Sequence, residues 1–215
     1  MKAVFTAGVL VFAANSGARA QHTAPEDHKA QTPPASQSKA LGAFQDMRSR
    51  KTMKARAEVA ASLHKQLIEA PNDESAELIA SALVKIWRHS GSDTADLLLE
   101  RATMAFQTQN HELATKLLSA LTSVAPDFAE GWNQLATVHF LRQDYASAMH
   151  ELWHVLALEP KHFKAMEGVA IILRETGRKR AALKMIRRVL KIHPRMKSAI
   201  QAETELSREV EGQRI

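Results

Sequence analysis

His150-Glu151-Leu152-Trp153-His154 sets two imidazoles four residues apart, with a carboxylate beside the first. On a helix, side chains at i and i+4 share a face. The pair could therefore grip Zn²⁺ while Glu151 takes a proton from a metal-bound water, the chemistry of metal-assisted peptide hydrolysis. Such a site also needs a third protein ligand, an open coordination position and a cleft that presents a carbonyl. Residues 155–160 read VLALEP and contain no further His, and Glu175 is the one acid near the spacing of a more distant third ligand. With 10 His and 16 Glu in 215 residues, the pattern arises by chance about once per 30 such sequences, so it does not decide by itself.

Other chemistry is scarcer. The chain has no Cys, which removes disulfides, thiolate metal sites, thiol nucleophiles and a lipidated Cys. There is no G-x-x-x-x-G-K-[ST], no G-x-G-x-x-G and no G-x-S-x-G, so neither a phosphate cradle nor a nucleophile elbow is signalled. His22 and His28 stand in a polar stretch without periodicity and read as solvated residues. Cofactors are expected to be none.

The elements that would position any site are helical. The chain is 45% hydrophobic, with 8 Gly, 7 Pro and 1 Tyr, a composition that favours an all-α fold over strands and turns. Residues 1–20, MKAVFTAGVLVFAANSGARA, join a basic start, a short apolar run and a small-residue ending at Ala18-Arg19-Ala20. That is the pattern of a secretory signal peptide cleaved after Ala20, its run being too short for a membrane span. The mature chain is thus expected in a bacterial periplasm, with no transmembrane span. Losing Lys2 and Arg19 takes its formal charge from +6 to +4. Residues 21–54 are polar and Pro-rich at first, then basic, and read as a flexible N-terminal segment.

Beyond that, the chain repeats. Pro126, Pro160 and Pro194 recur at a constant period of 34. In register with them, Trp132, Leu135, Ala136, Ala148, Leu152 and Val155 recur as Met166, Val169, Ala170, Ala182, Ile186 and Val189. The weaker match upstream is Ala102, Ala105, Ala114, Leu118 and Leu121. Small residues fall where two helices approach and larger ones fill around them, so that neighbouring units share a core. Asp127 with Glu130 reads as a capping box, Asn110 and Asp144 read as N-caps, and Gly177 supplies a turn where Asp144 stands one unit earlier.

On these residues the chain resembles the tetratricopeptide-repeat family, with three units at about 95–128, 129–162 and 163–194, together spanning 94–194. Residues 55–93 read as a degenerate or capping hairpin, apolar at Val59, Leu63, Leu67 and at Leu78, Ala82, Ile86. Residues 195–215 read as a C-terminal capping helix and tail, apolar at Met196, Ile200 and Leu206. The fold class expected is an all-α helix-turn-helix solenoid of three to four hairpins plus that helix. Stretches such as SGSDTADLLLERA further resemble small exported tetratricopeptide proteins of alphaproteobacteria, which implies an envelope protein and no catalytic residues.

The repeat frame also judges the opening motif. At about 100° per residue, with Ala148 at zero, Leu152 and Val155 point near 40° and 340°. On the same wheel His150 and His154 point at about 200° and about 240°, away from the core and out to the convex surface. The reading favoured is exposed helix surface, so the chain is expected not to be an enzyme and to hold no metal. A two-His site for Zn²⁺, Ni²⁺ or Cu²⁺ and a metallopeptidase with Glu151 as base are the alternatives.

The family resemblance instead implies a concave groove, lined by the first helix of each unit, that binds a protein or peptide. The residues it assigns to that groove are Asp96, Leu99, Thr103 and Phe106, then Glu130, Asn133, Thr137 and Phe140, then Lys164, Glu167, Ile171 and Arg174. Asn133 could pair with a peptide backbone, and Lys164 or Arg174 with a carboxylate. Trp87, Trp132 and Trp153 read as packing between helices. Between Arg174 and Lys197 stand ten Lys or Arg and one acid. Arg180, Lys184, Arg187, Arg188 and Lys191 recur along one helix, the spacing of a solvated face. If that segment, 174–197, has a partner, an anionic surface suits an exported protein better than nucleic acid.

Overall fold

The computed structural model of the protein describes residues 54–212. The expected signal peptide, most of the 21–54 segment and residues 213–215 lie outside them. Nine helices fill the described range. The first, α1, spans 54–68. It is followed by α2 (Asp73–Trp87), α3 (Asp93–Gln107), α4 (His111–Val124), α5 (Ala129–Leu141), α6 (Tyr145–Leu158), α7 (Phe163–Glu175), α8 (Lys179–Ile192) and α9 (Lys197–Glu211).

The period of 34 is written into the backbone. Helices α4, α6 and α8 start at residues 111, 145 and 179, and α5, α7 and α9 start at 129, 163 and 197. Each pair α3–α4, α5–α6 and α7–α8 forms a hairpin, and α9 packs on α8 as the first helix of a further unit would. Ala102, Ala114, Ala136, Ala148, Ala170 and Ala182 are all buried at the close approaches. A methyl there lets two backbones come near, and anything larger would push the hairpin open.

Local chemistry starts the helices. Asn110 Oδ1 accepts from Leu113 N–H at 3.1 Å and Asp144 Oδ1 from Ser147 N–H at 3.1 Å. Each satisfies an amide that has no partner within the helix. The capping box expected at Asp127 is not formed. The residue that caps α5 is Phe128, which makes no side-chain bond there; its ring is buried in the core, and that burial rather than a carboxylate turns the chain. The turn register also moves by one. Positive φ occurs at Gln109, Gln143 and Gly177, one repeat apart from each other (60°, 61° and 76°). Gly177 therefore matches Gln143, while Asp144 matches Arg178, which caps α8 without a side-chain bond. A left-handed conformation costs a non-glycine residue roughly 1–2 kcal/mol, so only the last of the three turns has the residue suited to it.

The N-terminal hairpin α1–α2 does not extend the stack from α3. Its buried residues Leu67, Ala76, Ala80, Leu83 and Trp87 join one core with α5–α9, while α3 and α4 form a second core with Phe128, Leu135 and Val138. The hairpin lies along the turns between units. Near the turn at 124–129, Arg56 and Trp87 share a cavity with Ala125 and Phe128. At the next turn, His64 Nε2 sits 3.3 Å from Lys161 O, and Trp87 stacks on His162 at 4.0 Å. At the third, Arg195 donates to Ala70 O (2.9 Å) and Pro71 O (2.6 Å) and pairs with Asp73 (3.2 Å). The stripe expected on α2 is accordingly the wrong one, with Leu78 exposed and Ala76, Ala80, Leu83 and Trp87 inside. The indole decides it, because it carries the largest apolar area to hide.

Candidate binding groove

The first helices α5 and α7 present their adjoining faces to a cleft of about 200 Å³. Ala136, Leu152, Gly168 and Ile172 line it together with Phe140 and Ile171, and Asn133, Thr137, Lys164 and Glu167 supply its polar groups. Six of the twelve residues assigned to a groove from sequence thus meet in one place: Asn133, Thr137, Phe140, Lys164, Glu167 and Ile171. The close approach at Gly168 has a reason. A Cβ there would stand 3.2 Å from the Leu152 side chain, so a larger residue would shift the cleft floor.

The remaining six do something else. Leu99 is core, and Glu130 is buried too. Its carboxylate accepts from Asn133 Nδ2 (3.1 Å) and Gln134 Nε2 (2.6 Å), with His162 Nε2 at 3.7 Å. Glu130 therefore orients Asn133 and does not offer itself to a ligand. Asp96 is spent on its own loop, accepting from Ser90 N–H (2.8 Å) and Ser90 Oγ (2.6 Å) beside His89 Nδ1 (2.8 Å). Thr103 Oγ1 donates to Leu99 O, and Phe106 packs edge-on against His111. Arg174 pairs with Glu205 and Glu175 at 3.7 and 3.8 Å. Lys164 has Glu167 at 3.5 Å, and Glu167 also accepts from Ser198 Oγ at 2.6 Å.

A second, larger cavity of about 840 Å³ continues from Lys164. One wall is α2, with Glu74, Glu77 and Ser81; the other is the starts of α7 and α9, with Phe163, Met196 and Lys197. Its lining includes His193, which burial pushes below the usual imidazole range and which is therefore neutral at pH 7. Sequence reasoning missed this wall, because nothing in residues 73–87 says that they fold across turns far along the chain. Arg195 was the available signal, a cation in a turn, but its partners Ala70 and Pro71 offer backbone oxygens that carry no sequence mark.

The 150–154 segment comes apart in three dimensions. His150 is exposed, as the wheel predicted. His154 is not fully outward: its ring is half-buried against Trp132, with centroids 4.2 Å apart, because the indole of α5 reaches over that flank while its Nε1–H donates to Pro126 O at 2.9 Å. Glu151 points inward. It is 5% exposed, and its Oε1 lies 2.7 Å from His139 Nδ1. Burial, with the Asp144 charge adding, pushes its carboxyl up to about 8, so the acid holds its proton at neutral pH. Among the described residues no group of three or more His, Asp or Glu is placed to hold a metal ion. Trp153 also departs from expectation, being 49% exposed and not packed between helices.

No protein-family model matches the chain. A TPR repeat-containing protein of Rhizobium etli is 34% identical over 152 residues, 71% of this chain and 74% of that protein. The chain belongs to the tetratricopeptide-repeat family. Solved structures agree on the fold. The first tetratricopeptide domain of Spaghetti (RPAP3), bound to the HSP90 peptide SRMEEVD, shares 19% identity at a TM-score of 0.53, covering 55% of this chain and 94% of that one. The Sgt2 tetratricopeptide domain of Aspergillus fumigatus shares 14% at 0.52, covering 56% and 81%. About half of this tetratricopeptide protein, then, has a counterpart in those domains.

Proposed function

We propose that the protein is an exported, non-catalytic scaffold of the bacterial envelope that holds a protein or peptide segment in the groove between α5 and α7. The observation that carries this is the cleft itself, where Phe140 and Ile171 offer apolar surface beside Asn133, Lys164 and Glu167. An extended peptide needs that combination: an apolar pocket for one side chain, an amide for its backbone and charges of both signs at the rim. RPAP3, of the same fold, is solved with a bound peptide, which supports the same use of the stack here. The leader-like residues 1–20 support export. The inward turn of Glu151, held by His139, supports a non-catalytic reading of the H-E-x-x-H segment, since a general base must reach a metal-bound water.

A peptide library selected on the purified chain tests the groove. The selected peptides will share an apolar residue, and Phe140→Asp with Ile171→Asp will weaken them at least about 30-fold, the loss of a central apolar anchor. Peptides that bind the double variant as tightly as the parent would move the site elsewhere.

A further inference from the structure

We propose that the outer face built by α6 and α8 docks the protein on an anionic phospholipid surface. This reading is independent of the groove. Helix α8 exposes Arg180, Lys184, Arg187, Arg188 and Lys191 along one stripe, about 16 Å long at 1.5 Å per residue. Among the described residues Arg187 is paired, with Glu203 at 3.0 Å, and the other four meet no carboxylate. Excess charge of one sign over such a length asks for a polyanionic partner.

The stripe is flanked by apolar slots on both sides. Between α6 and α8 a cleft of about 320 Å³ is lined by Met149, Leu173 and Met185, with Trp153 beside Lys184 and Arg188. On the opposite flank a cleft of about 350 Å³ reaches Leu183 and Val210, and the same Lys184 and Arg188 border it. Trp153 stands half in solvent although an apolar slot lies next to it. An exposed indole ringed by long cationic side chains suits the headgroup layer of a bilayer, where the ring sits at the boundary and the stems of Lys and Arg cover apolar surface while their charges stay wet. A folded acidic protein fits less well. It would have to match four unpaired cations at fixed positions, whereas mobile headgroups meet them wherever they fall.

The test is co-sedimentation of the purified chain with vesicles of phosphatidylcholine alone and of phosphatidylcholine with one-third phosphatidylglycerol. The chain will bind the anionic vesicles only, and rising salt will release it. Lys184→Gln with Arg188→Gln will weaken partitioning about 30-fold, from about 1 kcal/mol for each cation near the surface. Tryptophan emission will shift to the blue on binding, and Trp153→Phe will abolish the shift although Trp87 and Trp132 remain. Lys164→Gln, in the groove, will leave partitioning unchanged. Equal binding of neutral vesicles, an unaffected double variant, an equal loss with Lys164→Gln, or binding of polyglutamate without binding of vesicles would each overturn the assignment.

Discussion

Replacing Trp87 by alanine will release the N-terminal hairpin from the repeats and cost about 3–5 kcal/mol, the usual range for an aromatic removed from a core. The indole is buried and forms the seat of the hairpin: it stacks on His162 at 4.0 Å and lies 5.2 Å from the Phe163 ring and 6.0 Å from the His64 ring. His162 is itself fixed, because its Nδ1 accepts from Ala165 N–H and caps α7 at 3.1 Å. Removing Trp87 therefore loosens the α7 start as well as α2. The Arg195 bonds to Ala70 and Pro71 will not compensate, since half-exposed contacts of this kind contribute about 1 kcal/mol each. Among the described residues Trp87 Nε1 has no partner, so Trp87→Phe removes a donor unsatisfied there together with some area and will change stability by less than about 1.5 kcal/mol. Urea unfolding measures both values. Limited proteolysis of the alanine variant will cut first near residues 69–72 and 88–92, the loops that bound α2. A hairpin that stays protected in Trp87→Ala would mean that another contact holds it.

Glu151→Gln will stabilise the protein at alkaline pH and leave it nearly unchanged in mild acid. A carboxyl raised to about 8 by burial holds its proton more tightly in the folded chain than in the unfolded one. Below about pH 4.5 both states are protonated and there is no penalty. Between about 4.5 and 8 the unfolded chain ionises while the folded chain does not, so stability falls as pH rises; above about 8 the full penalty stands. The shift corresponds to roughly 3 kcal/mol once relaxation around the site is allowed for. Glutamine keeps the shape beside His139 but cannot ionise. Urea unfolding at pH 4 and pH 8.5 will give near-equal stabilities for parent and variant at the first and a gain of about 2–3 kcal/mol for the variant at the second. Parallel curves across that range would show that Glu151 titrates normally.

How much of this was legible in the sequence depends on how local each cause is. The prolines and the buried alanines marked the period, and α4, α6 and α8 begin one period apart although the side-chain caps at Asn110 and Asp144 have no equivalent at Arg178. The cleft between α5 and α7 lies where the family resemblance implied a groove, between the first helices of neighbouring units. Glu151 was legible too: from Ala148 it points near 300° at about 100° per residue, beside Val155, and its burial could have been read from the same wheel that exposed His150. The caps divide in the same way. Asn110 and Asp144 act within three residues and were foreseen, whereas Phe128 displaced the Asp127 cap because its ring is held by a tertiary core. The hairpin was the least legible part. Residues 73–87 offer two apolar stripes of similar quality, and which one is buried depends on turns far along the chain. Trp153 failed for the opposite reason: a helix wheel has no way to mark an indole left outside.

Photo-crosslinking in the native cell tests the central claim most directly, with one probe replacing Asn133 in the cleft and another replacing the exposed His150 on α6. The groove account predicts that the Asn133 probe captures one discrete polypeptide, that the His150 probe does not, and that Phe140→Asp with Ile171→Asp abolishes the capture. Capture by His150 alone would contradict it and put the working surface on the outer helices.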